Sequence, residues 1–118
     1  MEYLHSQEPF PIIHRDIKCD NLLIDYDGNI IIGDLGFAST LSSNHAGSVL
    51  GTPEYMAPEI FDENYGTGVD VYAFGMCVLE MVSQATPYSE CKGNPVQIYK
   101  KISMGEKPKM LERIGDLG

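Results

Sequence analysis

His14-Arg15-Asp16-Ile17-Lys18-Cys19-Asp20-Asn21 brings groups suited to handling a proton, a cation and an anion into one short stretch. A carboxylate such as Asp16 can orient a hydroxyl and accept its proton. The amide oxygen of Asn21 is a hard donor of the kind magnesium takes. Lys18 supplies positive charge for a site where negative charge develops. A His-Arg-Asp triplet standing alone reads as a solvated turn. Here it is followed by Asp34-Leu35-Gly36, Gly51-Thr52-Pro53-Glu54, Ala57-Pro58-Glu59 and Asp70.

The first stretch matches the H-R-D-x-x-x-x-N catalytic loop of eukaryotic protein kinases. Asp34-Leu35-Gly36 stands where kinases carry Asp-Phe-Gly, and Ala57-Pro58-Glu59 stands where their activation segment ends. In order and spacing the chain resembles that family over nearly its whole length. The resemblance implies ATP and Mg2+ as cofactors. Asp16 is then the base, Asn21 and Asp34 the metal ligands, and Lys18 the charge on the transferred phosphoryl group. Lys18, Asn21 and Asp34 form the cofactor-binding set. Asp70 is implied to anchor the backbone of the catalytic loop. Lys18 and Thr52 match serine/threonine kinases, in which the threonine hydroxyl bonds both the catalytic aspartate and the lysine.

Two longer runs are similar to the with-no-lysine (WNK) kinases: Val69-Asp70-Val71-Tyr72-Ala73-Phe74-Gly75-Met76-Cys77 and Pro87-Tyr88-Ser89-Glu90-Cys91. Most kinases have Trp where Tyr72 stands. This narrower resemblance implies protein substrates phosphorylated on Ser or Thr, and an inhibitory chloride at the backbone around Leu35 and Gly36. It also implies a phosphorylation switch at Ser48, with Arg15 receiving the added charge of about −1.5 to −2. An unmodified loop serine and a mere packing variant at Leu35 are the competing readings.

The elements that must position these residues follow from pattern. Met1 to His5 reads as a helix end, stopped before Pro9 and Pro11. Leu22-Leu23-Ile24 and Ile30-Ile31-Ile32 flank Asp27-Gly28-Asn29, a hairpin signal. Gly36 to Pro58 reads as a long functional loop. Val69 to Gln84 has almost no polar face and is expected to lie at the centre of a core. Asn94 caps a further helix with Pro95 at its first position, an apolar stripe of Val96, Tyr99 and Ile102, and a stop at Gly105 and Pro108. The expected fold class is α+β: the mainly helical part of a kinase C-lobe with a short β-hairpin and activation segment.

The chain has 118 residues, 43% of them apolar and 21% charged, which excludes disorder along its whole length. Eight basic against 17 acidic residues give a charge of −9, which argues against nucleic acid and anionic membranes as partners. Asp70 and Glu80 interrupt the longest apolar stretch, so no membrane span is expected. Cys19, Cys77 and Cys91 lack metal-ligand spacing and read as reduced thiols. No basic-then-apolar leader opens the chain, so the expected location is cytoplasmic. Cys19 is expected to be a packed thiol, and His5 and His45 surface residues. No Gly-x-Gly-x-x-Gly stretch occurs. Residues 1–118 are therefore expected to be a partial kinase domain, from the catalytic loop to the helix after the activation segment, inactive alone. A non-catalytic kinase-derived fragment or pseudokinase-like interaction module is the alternative.

Overall fold

The computed structural model describes residues 1–8, 11–36, 38–40, 51–62 and 65–111. Ser48 and His45 lie outside them, as do residues 41–50 of the expected activation segment. The elements are α1 (Glu2–His5), β1 (Ile12–Ile13), β2 (Leu22–Ile24), β3 (Ile30–Ile32), β4 (Ser39–Thr40), α2 (Gly68–Ser83) and α3 (Pro95–Ser103). Short 3₁₀ turns at Cys19–Asn21, Pro53–Tyr55, Pro58–Asp62 and Ser89–Cys91 join them.

The expected hairpin is present: β2 and β3 pair antiparallel, with Leu22 opposite Ile32 and Ile24 opposite Ile30. Its turn closes because Asp25 Oδ1 accepts the N–H groups of Asp27 at 2.9 Å and Asn29 at 2.8 Å. Gly28 supplies the left-handed residue, φ +84°. Those donors hold the Asp25 carboxyl below its ordinary range, the Asn29 N–H contributing most. A second antiparallel pair was not expected. β4, within the stretch read as loop, pairs with β1, with Ile13 opposite Ser39.

α2 starts and ends one residue earlier than its pattern suggested. Its last N–H partner is reached through Gln84, in the left-handed conformation at φ 56°. One face carries the buried Val69, Asp70, Ala73, Met76 and Cys77. The expectation of burial all round is corrected: Val71, Phe74, Val78, Met81 and Val82 are exposed among the described residues. A helix this apolar has a second face that the described residues do not cover.

α3 has its expected cap, Asn94 Oδ1 accepting from Val96 N at 3.0 Å and Gln97 N at 3.3 Å. Its buried stripe is Ile98 and Ile102 rather than one that includes Val96, which is exposed in the first turn. Ile98 and Ile102 are one turn apart and meet the main core around Met56, Ile60, Val69 and Met76. Tyr99 packs edge-on against Phe61 at the border of that core. A smaller apolar cluster, Ile17 with Ala73 and Cys77, lies directly under the His14–Asn21 loop.

Candidate active site

Asp70, in the first turn of α2 and fully buried, organises the His14–Asn21 loop. Its Oδ2 accepts the backbone N–H of His14 at 2.8 Å, and its Oδ1 accepts that of Arg15 at 2.9 Å. His5, at the end of α1, donates from Nε2 to the same Oδ2 at 2.8 Å. The reading of His5 as a partnerless surface residue is thereby corrected. A carboxylate in the first turn also meets the positive end of the helix dipole. Arg15 holds φ at 71°, a left-handed value that costs a non-glycine residue of order 1–3 kcal/mol. The bonds to Asp70 compensate for that strain on either side of the turn at Arg15.

His14 is fully buried and uses both ring nitrogens. Nδ1 accepts the Asp16 N–H at 3.1 Å, so Nε2 carries the proton and donates to Gly33 O at 2.7 Å. One neutral tautomer thus couples the loop to the residue before Asp34. Asn21 closes the loop from its far end. Its Nδ2 donates to Asp16 O at 2.7 Å, and its carbonyl accepts the Gly33 N–H at 2.8 Å. The Asn21 amide oxygen is the side-chain atom left to ligate a cation.

Asp16 is buried to 8% exposure. Its Oδ1 accepts the Thr52 hydroxyl at 2.8 Å, and its Oδ2 has no hydrogen-bond partner among the described residues. Lys18 lines the same open pocket as Thr52, but no hydrogen bond joins the two. The shared threonine bond implied for the lysine is therefore not present here. Gly51 brings Thr52 close: at φ +128°, a Cβ there would stand 2.7 Å from Arg15 O. The sequence pattern named Gly51 without revealing this contact.

Asp34 follows β3 with φ 53° and is exposed; its Oδ1 accepts the Gly36 N–H at 3.1 Å. Leu35 and Gly36 are exposed beside it. Arg15 Nη1 donates to the Tyr65 hydroxyl at 3.4 Å, and its expected contact with Ser48 falls outside the described residues.

A further link escaped sequence reasoning. The Tyr55 hydroxyl donates to Glu80 Oε1 at 2.7 Å, tying the Pro53–Tyr55 turn to α2. Burial, reinforced by the Glu80 carboxylate, pushes the Tyr55 phenol far above its ordinary value. Lys18, Asp20, Thr52, Glu54, Tyr55 and Glu80 line an open pocket of about 600 Å³ beside Asp16. Among the described residues, no group of three or more His, Cys, Asp or Glu could hold a metal ion unaided. The donor types at Asn21 and Asp34, an amide oxygen and a carboxylate, fit magnesium that takes its remaining ligands from phosphate and water.

The chain is similar in sequence to known protein kinases. The protein kinase domain family matches residues 1–114. The chain is 56% identical over 117 residues to the serine/threonine-protein kinase Wnk of Drosophila melanogaster, covering 98% of this chain and 5% of that protein. It is 56% identical to a probable serine/threonine-protein kinase WNK6 of Oryza sativa subsp. japonica, again over 98% of this chain and 26% of the relative. It is 52% identical over the same share to a probable serine/threonine-protein kinase WNK10 of Arabidopsis thaliana, of which it covers 22%. The chain thus spans about a quarter or less of the length of these relatives.

Proposed function

We propose, for a chain that belongs to the protein kinase domain family, that residues 1–118 are the central part of the C-lobe of a WNK-like serine/threonine kinase. In this reading the whole protein transfers the γ-phosphoryl group of ATP to a Ser or Thr hydroxyl of a protein substrate. ATP would supply the transferable group, and magnesium, when bound, would offset part of the phosphate charge. Asn21 and Asp34 would hold the metal through their side-chain oxygens. Asp16 receives the substrate hydroxyl on Oδ2, orients it and takes its proton, while Thr52 fixes Oδ1. Lys18 lends positive charge at the mouth of the pocket. Asp70 and His14 keep the loop in the conformation that presents Asp16.

The observation that carries this reading is the Thr52–Asp16 hydrogen bond of 2.8 Å on a loop whose backbone is clamped by Asp70. It ties the segment expected to receive substrate to the expected base. The test is transfer of labelled phosphate to a serine-bearing protein by the full-length protein and its Asp16→Asn variant. Loss of a general base should slow turnover by about 10²–10⁴-fold. Near-normal turnover in Asp16→Asn would overturn the assignment.

The regulatory roles belong to the same reading. Phosphate on Ser48 strengthens activity through Arg15, and chloride binds at Leu35 and Gly36. The location is cytoplasmic, and no described helix is long and apolar enough to cross a membrane. The apolar face of α2 that the described residues leave uncovered supports the further point that residues 1–118 work only with more of the domain around them. Alone, the chain is inactive in this reading.

A further inference from the structure

His5 reaches Asp70 across 65 residues of sequence, and their bond is the outer end of a route of hydrogen bonds that leads to Asp16. His5 is the last residue of α1 and its side chain is 16% exposed, whereas that of Asp70 is fully buried. A carboxylate only accepts, so Nε2 carries the proton of the 2.8 Å bond to Asp70 Oδ2. The same Oδ2 accepts the His14 N–H, and Oδ1 accepts the Arg15 N–H. His14 passes the restraint on: its Nδ1 accepts the Asp16 N–H and its Nε2 donates to Gly33 O. From His5 through Asp70 and His14 to Asp16, no link is longer than 3.1 Å.

We propose that His5 is a positioning residue for phosphoryl transfer, which fixes the Asp70 carboxylate and through it the loop that presents Asp16. Two of the three donors on Asp70 are backbone N–H groups of that same loop. They are what the carboxylate has to hold, so they cannot also anchor it. His5 is the donor that comes from a separate element, and it restrains the carboxylate against α1. Arg15 makes the restraint matter. Its φ of 71° is a conformation that persists only while the surroundings enforce it. A carboxylate with one fewer tether enforces it less.

Without the imidazole, Asp70 Oδ2 keeps only the His14 N–H, and a fully buried carboxylate loses a hydrogen-bond partner. The loop gains freedom at Arg15, directly before Asp16. Displacing a reacting group by about 1 Å can cost on the order of 10²-fold in rate. The pocket wall at Glu54, Tyr55 and Glu80 has its own tie, the Tyr55–Glu80 bond, and does not pass through His5. The loss therefore falls on kcat and spares KM for the protein substrate. The expected effect on rate rests on the kinase reading; the expected effect on the loop does not.

The test compares the full-length protein with its His5→Ala, His5→Leu and His5→Gln variants. Steady-state transfer to a serine-bearing protein gives kcat and KM. Amide hydrogen exchange, followed on a peptide that contains His14 and Arg15, reports the loop. His5→Ala and His5→Leu should lower kcat about tenfold, leave KM little changed and speed exchange in that peptide. His5→Gln returns an N–H donor and should recover most of both losses. Tyr3→Ala, an exposed position on the same helix, should leave both at wild-type values. If His5→Ala does not fold, His5→Leu and His5→Gln carry the comparison. Full activity in His5→Leu would mean that bulk alone suffices and would overturn the proposal. So would a rise in KM alone, or a loss that His5→Gln does not recover. If the wild type transfers no phosphate, the kinase reading fails, and the exchange data alone decide whether His5 holds the loop.

Discussion

The Thr52 hydroxyl donates to Asp16 Oδ1 across 2.8 Å, so the orientation of the proposed base is set by a residue from a different segment. Thr52→Ala removes that restraint and leaves the carboxylate free to rotate. A hydrogen bond to a charged group is worth about 1.5–3 kcal/mol. Turnover should therefore fall by roughly 10–100-fold, the tenfold step being about 1.4 kcal/mol. The loss should appear in kcat rather than KM, and Thr52→Ser should restore most of it. Steady-state kinetics on the full-length protein decide the matter; an unchanged kcat in Thr52→Ala would remove Thr52 from the mechanism.

Gly51→Ala should be far worse than an ordinary glycine substitution. The new methyl would stand 2.7 Å from Arg15 O, a backbone atom that cannot swing aside, and φ is +128°. Strain of order 1–3 kcal/mol follows, together with displacement of Thr52. Gly75→Ala is the control. It lies inside α2 and its added methyl meets nothing within 4 Å. Replacing a mid-helix glycine should leave stability unchanged or raise it by about 0.5–1 kcal/mol. Thermal melts of the two variants should move in different directions.

Asp70 serves three donors, and its amide analogue cannot. Asn presents one acceptor oxygen and an NH2 group where two backbone N–H groups and His5 Nε2 now point. At least one buried N–H is stranded in Asp70→Asn, at about 1–3 kcal/mol. His5→Ala removes only one donor and leaves both backbone bonds, so it should cost less. Denaturant unfolding ranks the pair. A His5→Ala cost equal to that of Asp70→Asn would mean that the backbone bonds contribute little.

What could be read beforehand divides by range. The β2–β3 hairpin was legible because Asp25, Gly28 and Asn29 specify their own turn within five residues. The start of α3 was legible because Asn94 and Pro95 act on the next turn. The Asp16–Thr52 and Asp70–loop contacts came from family resemblance, since 36 and 56 residues separate the partners and no local pattern encodes them. His5 with Asp70, Tyr55 with Glu80 and Gly51 against Arg15 O were missed for the same reason. Each is a meeting of distant segments, made by packing rather than by periodicity. The apolar run of α2 correctly signalled a buried helix, but composition does not say which of its faces the described residues cover.

Phe74 tests that last distinction. The all-round apolar pattern expects a core residue whose truncation to alanine costs about 3–5 kcal/mol. Phe74 is instead 38% exposed, whereas Ile98 on α3 is 1% exposed. In the 118-residue chain Phe74→Ala should cost clearly less than that range, and Ile98→Ala about 2–5 kcal/mol. Urea titrations of the two variants provide the comparison. Equal losses would mean that α2 has no open face.

Cys19 should make stability depend on pH at the alkaline end. Burial, helped by the neighbouring Glu80 carboxylate and Cys77, pushes its thiol from an ordinary 9.0 up to about 12. The unfolded chain therefore loses this proton at lower pH than the folded one. The folded state binds the proton more tightly, so stability falls with pH wherever only the unfolded chain has released it. The contribution is fully present below pH 9 and is lost progressively between about pH 9 and 12. Cys19→Ala should flatten the decline in that window and leave the curve below pH 9 parallel to wild type. Unfolding free energies measured from pH 7 to 11, under reducing conditions, provide the check. A wild-type curve indistinguishable in slope from Cys19→Ala above pH 9 would mean that the thiol ionises as freely in the folded chain as in the unfolded one.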